Sequence, residues 1–244
     1  MAVRGRLFPA RDLPDPTAPH ETRANGVLRP VVFGANDGLV SNLALVMGVA
    51  GANPAPGVIV LAGLAGLLAG AFSMAVGEYV SVQSQRELLD YQLAFQRRQL
   101  EEVPEQERAI LAAIYEERGF TTDEAHHFVD RVFADPEHAT RLLIHEEVGL
   151  DERSIGSPVA AALGSFLAFT AGALVPLLPY LVASGVPAFA TSLGASLGAL
   201  FLLGIAISIL TRRSTVATAV RQVLLGGVAA AITYAVGTLV GVRV

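Results

Sequence analysis

The chain has 244 residues, 52% of them apolar and only 16% charged, against roughly a quarter charged in a soluble domain, so most of it belongs in lipid. Cysteine is absent, which excludes disulfides, thiolate metal sites and cysteine nucleophiles; a metal would need carboxylate, imidazole, thioether or backbone oxygen. The 17 basic residues are all Arg, and the net charge of -5 is unevenly spread.

Residues 1–29 carry Arg4, Arg6, Arg11, Arg23 and Arg29 with four prolines among them and no apolar core of a secretory signal, so a disordered cytoplasmic tail is expected. Five apolar segments follow, near 30–52, 57–80, 157–184, 187–210 and 216–241, each close to the about 20 residues that cross a hydrocarbon core. Ser184-Gly185-Val186-Pro187 breaks the uncharged run from Ser154 to Thr211 into a hairpin. The connections at 51–57 and 184–187 are uncharged, whereas the amino-terminal tail and the Arg212-Arg213 turn are basic. The positive-inside rule then puts the amino terminus, the central region and the Arg212 turn in the cytoplasm.

Residues 81–156 differ in character, with 17 acidic residues against eight Arg, a net of -9. Val82 to Glu102 lacks Gly and Pro and is expected to continue the second span as one long helix, which Pro104 ends. Three short helices are expected after it, over 105–118, 122–133 with Thr121 or Thr122 as cap, and 136–148 opened by Asp135-Pro136. The expected fold is all-α: transmembrane helices 1 and 2 over 30–80, a cytoplasmic acidic helical domain over 81–156, and transmembrane helices 3 to 5 over 157–244.

Two carboxylates, Asp37 and Glu78, fall inside the first two spans. A carboxylate at bilayer depth costs at least about 2.5 kcal/mol on insertion scales, so it persists mainly where it handles an ion or proton. Met74 and Glu78 are four residues apart and share a helix face; a thioether one turn from a carboxylate suits a borderline divalent ion such as Fe(II). The alternative is a gap-filling Met and a Glu solvated at the membrane edge. Gly34 and Gly38 flank Asp37 and would let backbone carbonyls approach an ion; alternatively Asp37 caps a helix or pairs with Arg29 or Arg221. Gly66 and Gly70, extended by Ala62 and Met74, form a small-residue stripe for close helix approach.

In the central region Glu107 shares a face with Ile110, Leu111 and Ile114, and Glu147 with Leu143 and Ile144; a carboxylate on an apolar face must be paired or coordinated. Gln96, on the face of Leu89, Leu93 and Leu100, and Gln99 are weak neutral candidates to complete a low-affinity metal site. Glu102 and Glu105 are auxiliary candidates, although with Glu101, Glu116, Glu117, Glu124 and Glu146 they read most simply as solvated acidic surface. His126, His127, His138 and His145 lack the spacing that one helix face needs for zinc. No catalytic residue set is apparent, nothing points to nucleic acid, and the absence of a P-loop argues against ATP as the energy source. Protons are the natural alternative, because a ligating carboxylate must be deprotonated.

The motifs Phe33-Gly34-Ala35-Asn36-Asp37-Gly38-Leu39-Val40-Ser41 and Ser73-Met74-Ala75-Val76-Gly77-Glu78-Tyr79-Val80-Ser81, followed by Glu147-Val148-Gly149 and by Leu174-Val175-Pro176-Leu177-Leu178-Pro179-Tyr180, resemble the vacuolar iron transporter family. The resemblance runs from residue 30 to the end. It implies a homodimer of five-span subunits that exports Fe(II), often with Mn(II), Co(II) or Zn(II), from the cytosol in exchange for protons. It further implies a membrane pathway lined at Asp37 and Met74 and a cytoplasmic domain that gathers metal on glutamates, with no permanently bound cofactor. This chain departs from that pattern: of the matching cytoplasmic positions only Glu107 and Glu147 are acidic, the others being Gln96, Gln99, Ile110, Leu143 and Ile144, and Gly66 stands where plant-type members can carry an acid. The thinned set keeps open a metal sensor or scaffold without transport, or a transporter of another solute. The Arg bias and short tail point to a bacterial plasma membrane.

Overall fold

The computed structural model describes residues 22–148 and 156–241. The expected tail up to residue 21 and the side chain of Glu147 lie outside the described residues. Among the described residues every regular element is helical: α1 (Thr22–Gly51), α2 (Pro56–Glu102), α3 (Pro104–Glu117), α4 (Thr122–Phe133), α5 (Pro136–Leu143) leading into a π turn (Ile144–Val148), α6 (Pro158–Val182), α7 (Gly185–Thr211) and α8 (Thr215–Gly241).

Five helices are long and apolar enough to cross a membrane, those containing Leu28–Gly51, Gly57–Glu102, Pro158–Val182, Gly185–Thr211 and Thr215–Gly241, and the chain is an integral membrane protein. Most of these bounds match the expected spans, with two differences. α1 starts at Thr22 and runs through Pro30, so helix replaces part of the expected tail. Proline removes one i→i−4 bond, a loss the 30-residue helix absorbs through its packing on α6 and α8. The hairpin break is also tighter than expected, confined to Ala183 and Ser184, with Gly185 at φ 66° opening α7.

The direction of each spanning helix follows from its contacts. Asn42 of α1 donates its Nδ2 to the Ala173 carbonyl of α6 at 2.6 Å, and Gly34 faces Ser165, so α1 and α6 run parallel. α8 also runs with α1, Gly48 lying against Thr233 and Gly51 against Thr238. α2 and α7 run the other way: Gly63 meets Leu177 of α6, and Ser192 of α7 donates its hydroxyl to the Pro176 carbonyl at 2.6 Å. α1 is the central helix, touching α2, α6, α7 and α8. Consequently the start of α1, the end of the α2 span, the start of α6 and the α7–α8 turn lie at one end of the bundle.

α2 runs unbroken for 47 residues, roughly 70 Å at 1.5 Å per residue, and so extends past the bundle at that end. The helices α3 to α5 pack beside its extension around Leu111, Ala112, Ala125, Val129, Val132, Ala139 and Leu143. α4 opens with a capping box in which Thr121 accepts from the Glu124 amide and Glu124 accepts from the Thr121 amide; Asp135 caps α5 by accepting from the Glu137 and His138 amides. The expected last helix over 136–148 therefore holds as α helix only to Leu143 and widens into a π turn.

Candidate metal pathway

Asp37 lies fifteen residues into α1, half-buried, so it caps no helix, and among the described residues it forms no ion pair with Arg29 or Arg221. Its flanking glycines do not open the backbone to an ion. A Cβ at Gly34 would stand 2.8 Å from the Ser165 carbonyl oxygen, and one at Gly38 would collide with the Phe169 backbone. Gly172 reciprocates from α6 against Ala35 and Leu39. These glycines seat α1 on α6 at backbone distance, which fixes the rotation of α1 and leaves Asp37 on a different face. That face also bears Phe33, 59% exposed, Ser41, whose hydroxyl donates to the Asp37 carbonyl at 2.6 Å, and Leu45, 36% exposed.

Met74 is half-buried on α2 against the cluster of Leu67, Ala71, Phe169, Ala173 and Leu177. The stripe of small residues expected to admit another helix admits side chains instead: Leu45 of α1 fills the space over Gly66 and the Phe169 ring covers Gly70. Those contacts set the register of the two antiparallel helices. From the Leu45–Gly66 contact, eight residues back along α1 lead to Asp37 and eight onward along α2 lead to Met74, so carboxylate and thioether occupy one level of the bundle. Glu78, also half-buried, is one turn nearer the α3–α5 end.

Two further polar groups lie on α1, Asn36 next to Asp37 and Asn42 over Gly66. Asn36 Oδ1 and Asn42 Oδ1 are buried without a hydrogen-bond partner, and Asn42 is 2% exposed. A buried unpaired amide oxygen is a neutral acceptor held at a cost of about 1–3 kcal/mol. The sequence signal for both is an Asn inside an apolar span, a weaker mark than a carboxylate because a neutral amide costs less in lipid than a charge.

Of the candidates outside the spans, Glu107 (6% exposed) and Gln96 (4% exposed) come together: Gln96 donates its Nε2 to Glu107 Oε2 at 2.6 Å, joining α2 to α3. In this arrangement Gln96 serves Glu107 as a donor rather than standing beside it as a ligand. Gln99 is half-buried on α2, while Glu102 and Glu105 are exposed, Glu105 lying 3.9 Å from Arg108. Glu147 belongs to the π turn.

Glu146 departs from the expected solvated surface. Its carboxylate is gripped by both terminal nitrogens of Arg118, one of them at 2.9 Å, and accepts from the Tyr115 hydroxyl at 3.3 Å. The Arg118 hydrogen bonds hold the Glu146 carboxyl below its usual range, and burial together with Glu146 pushes the Tyr115 phenol up. This clamp ties the π turn to the end of α3, and its partners are 28 and 31 residues apart, beyond the reach of local periodicity. His126, His127, His138 and His145 are exposed, and among the described residues no three His, Asp or Glu side chains converge on one point.

A family model described as the VIT family matches residues 28–238. Vacuolar iron transporter 1 of Oryza sativa subsp. japonica is 30% identical over 218 residues, covering 89% of this chain and 86% of its own length. The vacuolar iron transporter of Acanthamoeba castellanii is 37% identical over 218 residues, covering 88% and 78%, and that of Toxoplasma gondii is 30% identical over 233 residues, covering 90% and 76%.

Proposed function

The chain belongs to the VIT family, and from that membership we propose that it is a homodimeric, proton-coupled antiporter that moves Fe(II), or a related divalent ion such as Mn(II), Co(II) or Zn(II), out of the cytoplasm. The observation that carries the reading is the common level of Asp37 and Met74 on adjacent antiparallel helices inside the span. The carboxylate supplies charge. The thioether biases the site toward a borderline metal over Mg(II) and Ca(II), which prefer oxygen alone. Glu78, one turn nearer the α3–α5 end, is the natural relay between the aqueous side and that level.

Asp37 and Glu78 bind a divalent ion only when deprotonated, so loading releases protons and protonation from the far side expels the metal. The basic start of α1 and the Arg212-Arg213 turn share an end of the bundle with α3 to α5, and the positive-inside rule supports a cytoplasmic side for that end. Glu107 and Glu147 would then form a minimal cytoplasmic loading site, with Gln99, Glu102 and Glu105 as outlying contributors, in a bacterial plasma membrane.

Fe(II) uptake into proteoliposomes under an imposed pH gradient tests the reading. Gradient-driven flux in the unaltered chain, abolished by Asp37→Asn and reduced at least about tenfold by Met74→Ala, is expected if each ligand contributes more than about 1.4 kcal/mol to the transported state. In the same assay Glu107→Gln should raise the Fe(II) concentration for half-maximal flux without lowering the maximum. Flux indifferent to both Asp37→Asn and Met74→Ala would move the pathway elsewhere, and bound metal without flux would favour a sensor.

A further inference from the structure

The α7–α8 corner gathers three guanidiniums that the ion pathway does not use. Arg212 caps α7 in the left-handed conformation at φ 50°, Arg213 follows it, and Arg221 projects from α8 six residues beyond Thr215, roughly 9 Å into the span at 1.5 Å per residue. All three are exposed. Arg221 stands in a row of outward apolar residues, Val220 (44% exposed), Leu224 (61%), Leu225 (59%) and Val228 (56%). No acidic residue occurs anywhere from 158 to 241, so α6, α7 and α8 cannot neutralise this charge themselves. The ion pairs among the described residues all lie within α3 to α5 and the π turn, and none reaches the corner.

We propose that Arg212, Arg213 and Arg221 bind the phosphate of an anionic phospholipid on the α3–α5 side of the membrane. A guanidinium roughly two turns inside a lipid-facing stripe reaches the headgroup layer by extending its stem along the acyl chains. There its planar donors match a phosphate in bidentate fashion, and Arg212 and Arg213 meet the same headgroup from the end of α7. Among the described residues no ion pair joins the corner to the acidic region 81–156, which leaves its charge for a headgroup. The region 81–156 is strongly acidic and repels an anionic surface, so the basic corner is the place where such a surface can attach. The site does not depend on the identity of the transported ion.

Native mass spectrometry of the full-length protein, titrated separately with phosphatidylglycerol, phosphatidylcholine and inorganic phosphate, tests this. Phosphatidylglycerol is expected to bind in preference to phosphatidylcholine. Affinity should drop about fivefold in Arg221→Gln and further in the triple Gln variant, since each surface Arg near an anionic headgroup is worth that factor. Arg221→Lys, which keeps the charge but loses the bidentate fork, should bind between the unaltered protein and Arg221→Gln, and the exposed single substitution decides the matter if the triple variant fails to fold. Equal binding of both lipids, or undiminished phosphatidylglycerol binding in the Gln variants, overturns the proposal. Displacement by inorganic phosphate would reassign the site to a free anion, and loss of a dimer mass in Arg221→Gln would reassign it to a protein contact; either overturns it.

Discussion

Gly38 fixes the setting of the proposed pathway carboxylate beside it. Its missing side chain lets the Phe169 backbone of α6 close against α1, and that contact fixes which way Asp37 turns. In Gly38→Ala a Cβ would stand 2.9 Å from the Phe169 carbonyl carbon and closer still to its oxygen; being backbone, these atoms cannot swing aside. The helices must separate, an overpacking cost of about 1–3 kcal/mol. A lower unfolding temperature in detergent and reduced Fe(II) flux are expected together, whereas Gly194→Ala, whose Cβ meets nothing within 4 Å, should change neither. Equal behaviour of the two variants would refute the seating role. Asp37 and Met74 were legible in the sequence because a charge and a thioether stand out in an apolar run. What the glycines do was not, because a small residue beside an acid reads equally as ion access or helix contact until the partner helix is known. The Gln96–Glu107 bond was half legible: periodicity put both residues on apolar faces, but only the crossing of α2 and α3 made them partners.

Whole elements were read most reliably where their signals are local. The unbroken extension of α2 over 82–102 follows from a stretch without Gly or Pro, and the starts of α4 and α5 follow from Thr121 and from Asp135-Pro136. The π turn had no such signal. It is held by the Arg118–Glu146 clamp, a long-range contact that also removed Glu146 from the solvated surface. The clamp makes a pH-dependent prediction. Because Arg118 holds the Glu146 carboxyl below its unfolded value, the stabilisation is fully present above the ordinary Glu range near about 4.3 and is lost as pH falls through the lowered folded value. In full-length protein, Arg118→Gln should speed amide hydrogen exchange over 136–146 at pH 7, after correction for intrinsic rates. As pH falls through the lowered folded value and Glu146 becomes neutral in both proteins, their exchange rates should converge. A difference that persists unchanged at the lower pH would mean that Arg118 acts by packing on the Tyr115 ring, 5.3 Å from its guanidinium, rather than through the carboxylate.

At the scale of the molecule, one face of a single chain is left in an unstable situation. Most exposed apolar residues of α6 to α8 suit lipid, but the face of α1 that carries Phe33, Ser41 and Leu45 also carries Asp37, and charged groups in spans turn toward protein or a water-filled cavity rather than hydrocarbon. Beyond the span, α2 exposes Leu88 (50%), Tyr91 (60%) and Phe95 (39%), and Tyr91 stacks on Phe95 with ring centroids 6.5 Å apart. Such a stripe suits a partner better than water. The proposed second copy of the chain would cover both faces and bring a second Asp37 and Met74 to the pathway, raising the donor number toward the four to six that a divalent ion requires. The natural absence of cysteine makes this directly testable, because a single introduced thiol is the only one in the molecule. In native membranes, Ser41→Cys and Phe95→Cys should each give a dimer with a short bifunctional maleimide, and Leu167→Cys, 57% exposed on α6, should stay monomeric. Cross-linking at Leu167 without any at Ser41 would place the partner on the opposite side and leave Asp37 facing lipid, an arrangement in which the ion pathway could not pass along α1.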